Sequence, residues 1–296
     1  MNEQTYCGYV ALLGRPNVGK STLLNHILRQ KVSITSRKPQ TTRFNLLGVD
    51  TEGPYQAIYM DTPGIHQKID KALNRYMVSN AKSALKDVDL RIMVVESGKW
   101  QEEDQHVLEL LEGAPDKTLA VLNKIDQLRD KQQLLPEMQR LDDTGAFAEI
   151  IPVSALRNEG LEVLRERVFA HLGSGPHLFG EDEVTNLSER RLVAEIVREK
   201  LMRQLGDEIP HSSTVVVERF VSEPKLTEIH ADIYVEREGQ KRIVIGKQGA
   251  RLKLIGAEAR KDIEQMLDAK VMLHLFVKVR KGWTRSDKLL NSLGYQ

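Results

Sequence analysis

Between residues 6 and 172, short apolar runs alternate with amphipathic stretches of helical period. YCGYVALLG (6–14) leads into a helix from Lys20, and YQAIYMD (55–61) reads as the second strand. LRIMVVES (90–97), TLAVLNK (118–124) and EIIPVSA (149–155) follow, with helical stretches between them. This rhythm predicts an α/β domain with a mostly parallel sheet flanked by crossover helices. GSGPHLFGEDEV (173–184) then breaks all periodicity with Gly, Pro and acids, so we read 173–187 as a linker. Beyond it Ser188 predicts the N-cap of a helix striped by Leu192, Ile196, Leu201 and Leu205. TVVVERFV (214–221) and EIHADIYVE (228–236) predict strands, the second alternating through Ile229, Ala231, Ile233 and Val235. KRIVI (241–245) fits a strand or a short helix. A helix carrying Leu252, Ile255, Ala259, Ile263 and Met266 follows Gly249, and VMLHLFVKV (271–279) predicts a last strand. The expected division is therefore 1–172, a linker over 173–187, and a smaller α+β domain over 188–296.

GRPNVGKS, residues 14–21, turns the first domain from a pattern into a chemistry. It matches G-x-x-x-x-G-K-[ST] between a strand and a helix, the context that the motif requires. Across Gly14, Arg15, Pro16, Asn17, Val18, Gly19, Lys20 and Ser21, backbone amides can converge on phosphate oxygens, and the helix directs its positive end at them. Lys20 can reach the β- and γ-phosphates and Ser21 can ligate Mg²⁺. DTPG (Asp61, Thr62, Pro63, Gly64) ends another apolar strand. There Asp61 suits the Mg²⁺ shell and the Gly64 amide suits the γ-phosphate. In NKID, Asp126 can accept from guanine N1–H and the 2-amino group, a donor pair that adenine lacks. Asn123 can address the other base edge, Lys124 can lay its stem along the site, and Ser154 with Ala155 can offer a backbone amide near guanine O6. In this order and spacing the motifs are those of a GTPase domain. In KPQTTR (38–43) Thr42 is the expected Mg²⁺ ligand and γ-phosphate sensor, with Thr41 as the alternative. Many GTPases place a glutamine after the DTxG glycine to orient water. Here the position is Ile65, and we assign no catalytic base; His66 is a weak candidate because base catalysis matters little in a loose phosphoryl-transfer transition state.

Composition adds three points. A length of 296 residues fits two domains, and 41% hydrophobic with 29% charged residues is ordinary for a globular protein. The single cysteine, Cys7, fits a reducing cytoplasm. No apolar run reaches the ~18–20 residues of a membrane span, and MNEQTYCGYV lacks a secretory pattern, so any membrane contact is expected to be peripheral. The net charge of +1 hides an asymmetry: between Arg237 and Lys261, basic residues outnumber the two acids, Glu238 and Glu258, by four to one. Gly246-Lys247-Gln248-Gly249 lies inside that stretch. With twenty glycines in the chain, about one such pair arises by chance, so its setting carries the reading. Helix, strand, strand, short segment, G-x-x-G, helix, strand is the order of a KH module, whose loop clamps a single-stranded RNA backbone. Arg242, Ile245, Lys247, Gln248, Arg251 and Lys253 are the candidate contacts beside Gly246 and Gly249. Trp283 in GWTRSDK (282–288) fits either base stacking or the domain core.

A GTPase domain with GRPNVGKS, TSRKPQTTR, DTPG and NKID, followed by a KH domain with VIGKQG, resembles the Era family of bacterial GTPases across essentially the whole chain. The resemblance implies a type II KH order, hence a short helix over 241–245. It also implies a cofactor set of GTP or GDP with Mg²⁺, and a K⁺ site involving Asn17. Its implied partners are the 3′ region of 16S ribosomal RNA, the 30S subunit during assembly, and peripherally the inner membrane. Family members carry a hydrophobic residue in place of the glutamine, as Ile65 does here. We expect a cytoplasmic monomer. Two alternatives stay open: an RNA-binding factor with vestigial hydrolysis, and a GTPase coupled to another RNA or membrane process.

Overall fold

The computed structural model describes residues 4–36, 38, 41–63, 72–83, 88–111, 113–206, 209, 212–293 and 295. The chain forms two compact units. The first comprises residues 1–33, 42–69 and 76–186, and the second 34–41, 70–75 and 187–296.

The first unit is built on a six-stranded sheet in the order β2-β3-β1-β4-β5-β6. Its strands are β1 (Tyr6–Leu13), β2 (Leu46–Glu52), β3 (Tyr55–Asp61), β4 (Leu90–Glu96), β5 (Thr118–Asn123) and β6 (Glu149–Pro152). All neighbours are parallel except β2, which pairs antiparallel with β3. The central strands lie buried under helices on both faces, which is why they read as unbroken apolar runs: Val10 to Leu13, Ile92 to Val95 and Leu119 to Leu122 are each at most 1% exposed. The helices are α1 (Lys20–Ile27), α2 (Ala72–Ser83), α3 (Glu102–Glu109), α4 (Leu134–Asp142) and α5 (Leu161–Ala170). The second strand is therefore LLGVDTE, not YQAIYMD, which is third. An edge strand interrupted by Gly48 and Asp50 lacks the apolar continuity that marks its neighbours. Asp50 is nevertheless buried, because Arg165 of α5 meets both of its oxygens at 2.6 Å.

Residues 173–186 lie along this unit. Cys7 N–H donates to Gly173 O (3.0 Å) and Gly175 N–H to Thr5 O (3.0 Å). The buried Gln56 amide donates to Phe179 O (2.9 Å) and accepts from the Leu178 and Phe179 amides (2.7 and 3.0 Å). Val49 N–H reaches Val184 O at 2.9 Å, on the outer side of β2.

The second unit carries a three-stranded sheet of β7 (Ser213–Ser222), β8 (Thr227–Val235) and β9 (Val271–Val279). β8 is central, antiparallel to β7 and parallel to β9. Ile229, Ala231, Ile233 and Val235 are fully buried against α6 (Glu189–Gln204) and α8 (Ala250–Leu267), through Val193, Val197, Leu201, Ile255, Ala259 and Ile263. Ser188 caps α6, its side chain accepting from Arg191 N–H. KRIVI lies within a helix, α7 (Glu238–Ile245), which the type II KH order implies, and α9 (Asp287–Ser292) lies near the chain end. Two residues ahead of β2 belong with this unit: Thr35 N–H donates to the buried carboxylate of Glu199 (2.9 Å), and Arg198 donates to Thr41 O. Among the described residues, no helix is long and apolar enough to cross a membrane.

Trp283 has no exposed surface, donates through its indole N–H to Ser212 O (3.2 Å) and stacks beside Tyr295 at 6.1 Å. It is a core residue and not a surface platform. Trp283→Ala should therefore destabilise the C-terminal unit by about 3–5 kcal/mol. Urea unfolding followed by circular dichroism should show this as an earlier transition of that unit.

Candidate nucleotide and RNA sites

The phosphate-binding loop follows β1, and its backbone departs from ordinary conformations where an anion cradle requires it. Gly14 (φ 146°), Asn17 (φ 65°) and Gly19 (φ 105°) all have positive φ. A Cβ on Gly14 would lie 2.5 Å from Val94 O, and one on Gly19 would collide with the Asn123 side-chain amide. Only glycine fits either position. Lys20 is buried, and its ammonium donates to Gly14 O (2.8 Å) and Arg15 O (3.1 Å). Burial pulls its pKa down to about 8, against the opposing attraction of Asp61.

Asp61, at the end of β3, has no exposed surface. Its Oδ2 accepts from Ser21 Oγ (2.7 Å), Ser33 Oγ (2.8 Å) and Thr42 Oγ1 (3.1 Å), and Ser21 Oγ lies 3.1 Å from Thr42 Oγ1. Its Oδ1 is buried with no hydrogen-bond partner among the described residues. Three hydroxyls and a carboxylate with a buried, unanswered oxygen form the all-oxygen donor set that suits Mg²⁺. Of the two threonines, Thr42 joins this cluster, while Thr41 Oγ1 donates to Lys38 O (2.8 Å). Thr62 Oγ1 donates to Leu12 O (2.7 Å), pinning the end of β3 to β1. Pro63 is described, whereas Gly64, Ile65 and His66 lie outside the described residues.

The base-recognition segments close the other side. Asp126 Oδ1 accepts from Ser154 Oγ at 2.5 Å, which orients its carboxylate. The Asn123 amide bridges the loops: Nδ2 donates to Val18 O (2.8 Å), and Oδ1 accepts from the Lys124 and Ala155 amides (2.8 and 3.1 Å). The amide so ties the three segments together. Lys124, in the left-handed region at φ 66°, donates to Asn17 O (2.7 Å) and Glu96 Oε2 (2.8 Å).

Ser33, Glu96 and Asp104 were not anticipated from sequence. Glu96 ends β4, and sheet register sets it beside Asn123. It receives Lys124, Lys99 (2.5 Å) and Arg15 (3.3 Å). Burial would raise its carboxyl, but the two lysines hold it below the usual value. Arg15 also donates to the buried Asp104 (2.8 Å), whose pKa burial raises. The Arg15 side chain therefore braces the loop from behind, leaving its backbone to the anion. The sequence signal for Glu96 was an acid at the end of a buried strand, which becomes informative only once β4 is known to adjoin β5.

In the second unit the G-x-x-G turn links α7 to α8. Gly246 (φ 74°), Gln248 (φ 52°) and Gly249 (φ 78°) are all in positive-φ conformations, and a Cβ on Gly246 would lie 2.8 Å from that of Arg251. Arg242, Lys247, Gln248, Arg251 and Lys253 are exposed, and Ile245 is half-buried behind them. Arg251 donates to Ile243 O (2.7 Å), tying the turn to α7. Beside the turn an open groove of about 350 Å³ is lined by Gly249, Leu252, Lys253 and Gly256 on one wall. Leu273, His274, Leu275 and Phe276 of β9 form the other, a wall that sequence reading did not include.

Residues 9–124 match the family described as 50S ribosome-binding GTPase, and residues 208–284 match the KH domain. GTPase Era of Pseudomonas putida strain F1 is 54% identical over 294 residues, covering 99% of this chain and 98% of its own. GTPase Era of Azotobacter vinelandii is 56% identical over 290 residues, covering 98% and 97%. A crystal structure of Era in complex with MgGDPNP and nucleotides 1506–1542 of 16S ribosomal RNA matches with a TM-score of 0.94 at 37% identity, over 98% of this chain and 99% of that one. Two domain types in one chain, over full-length relatives of more than half identical sequence, lead to one conclusion: the chain belongs to the GTPase Era family.

Proposed function

We propose that this GTPase is a nucleotide-driven RNA-binding switch that holds the single-stranded 3′ region of 16S ribosomal RNA and assists assembly of the 30S subunit. The observation that carries the reading is that one chain holds both an oxygen cluster at Asp61, made by Ser21, Ser33 and Thr42 beside the phosphate-binding loop, and a positive-φ G-x-x-G turn flanked by exposed basic residues. The Era structure with 16S nucleotides supports the choice of RNA.

In this reading the division is a GTPase domain over 1–172, a linker over 173–187 and a KH domain over 188–296. The residues that take the nucleotide are Gly14 to Ser21, Thr42, Asp61 to Gly64, Asn123, Lys124, Asp126, Ser154 and Ala155. Ser21, Thr42 and Asp61 take Mg²⁺, which neutralises charge on the β- and γ-phosphates when bound. The loop amides and Lys20 orient the triphosphate, and Asp126 selects guanine with the oxygen that Ser154 leaves free. A K⁺ near Asn17, an exposed residue at a left-handed turn, would supply the charge stabilisation that an arginine finger gives elsewhere. Arg242, Ile245, the G-x-x-G turn, Arg251 and Lys253 hold RNA. The protein acts as a cytoplasmic monomer, and any association with the inner membrane is peripheral.

The first test titrates a short RNA copied from the 16S 3′ end, against a scrambled control, with a non-hydrolysable GTP analogue and again with GDP. Selective binding favoured by the analogue is expected, and Lys247→Glu should weaken it about tenfold or more. Equal weak binding of both RNAs in both states would refute the switch. Asp126→Asn should lower GTP affinity at least about a hundredfold and favour a xanthine base, since the donor–acceptor pattern reverses; unchanged GTP selectivity would refute that assignment. Lys20 supplies a third test. With a pKa near 8 in the free protein, it is partly deprotonated at mildly alkaline pH, and phosphate oxygens restore its charge. Nucleotide binding at pH 8 should thus take up about half a proton, and affinity should fall as pH rises further. Calorimetry in two buffers of different ionisation enthalpy reads this directly, and buffer-independent heats would contradict it.

A further inference from the structure

One cluster of metal-ligating side chains lies apart from the Mg²⁺ donor set. β8 buries its odd-numbered residues from Ile229 to Val235, so Glu228 and His230 share the opposite face of the sheet. The parallel pairing of β8 with β9 sets His274 directly beside His230, with ring centroids 4.6 Å apart. His230 Nε2 lies 2.8 Å from Glu228 Oε1. One ligand atom from each of the three residues lies within 4.8 Å of the others, and all three are half-buried.

We propose that Glu228, His230 and His274 bind a divalent first-row transition-metal ion, with zinc the best fit. Two imidazoles and a carboxylate are a recurrent three-ligand zinc set that leaves a position for water. Imidazole donors select against Mg²⁺ and Ca²⁺, which take oxygen. The donors stand on adjacent paired strands, so little ordering accompanies metal entry. Arg219 meets the second oxygen, Glu228 Oε2, at 3.2 Å, which fixes the carboxylate while Oε1 faces His230. The Phe276 ring, 6.0 Å from that of His230, walls the cluster on its apolar side. His274 also lines the groove beside the G-x-x-G turn, so a bound ion adds positive charge at the groove wall.

The test uses the full chain loaded with GDP and Mg²⁺, so that the oxygen ligands of the P-loop site are engaged. Zinc chloride is titrated by calorimetry, and Co²⁺ is added as a spectroscopic stand-in. The wild type should bind one equivalent of zinc in the micromolar range and give visible d–d bands with Co²⁺. His230→Gln and His274→Gln should each weaken zinc binding about tenfold or more, and the double variant should lose the Co²⁺ bands. His106→Gln removes a different half-buried histidine, paired with Glu109, and should change neither readout. Because the three side chains lie outside the apolar core, circular dichroism of the variants should match the wild type. Equal zinc uptake by the wild type and the double variant, or no micromolar binding by the wild type, overturns the proposal.

Discussion

A carboxylate with no exposed surface sets the terms for the nucleotide end of this chain. Burying an ionised Asp61 is costly unless its charge is answered, and three hydroxyls on one oxygen answer only part of it. The other oxygen is buried with no hydrogen-bond partner among the described residues. The surrounding constraints follow. β3 must pair with β1 in the register that sets Asp61 beside Leu12, Thr62 must fasten that strand end, and Lys20 must lie close enough to balance charge.

A second buried carboxylate, Glu199, does comparable work in the other unit. It takes the Thr35 amide at 2.9 Å, while Lys200 and Arg203 neutralise it at 3.1 and 3.0 Å. The peptide from Ser33 to Thr42 is thus read by two acids. Ser33 and Thr42 address Asp61, and Thr35 addresses Glu199.

Much of this was legible in the sequence because phosphate and guanine recognition need particular residue types at fixed spacing. GRPNVGKS, DTPG and NKID announce their chemistry locally, and the alternation of Ile229, Ala231, Ile233 and Val235 announces the inner face of β8. What escaped depends on neighbours that only the fold supplies. Glu96 gains its role from sheet register with Asn123, and Asn123 itself bridges loops that are more than a hundred residues apart in sequence. Trp283 sits in a basic stretch that suggests a surface, yet its indole closes a core. β2 was hidden by Gly48 and Asp50, whose tolerance rests on Arg165 from another element. The Gly- and Pro-rich composition of 173–184 gives no sign that one buried side chain, Gln56, holds three of its backbone groups.

That last segment bears on how the edge of the first sheet is closed. β2 is the antiparallel edge of its sheet, and its outer backbone is met by the chain at Val184 and Thr185. An uncovered edge strand presents a row of unsatisfied amides and carbonyls, the surface on which chains add to one another. Residues 184 and 185 therefore act as a guard against edge-to-edge aggregation. A GTPase fragment cut at the end of α5 would bare that edge together with the Gln56 amide, whereas one carried through Asn186 would keep both covered.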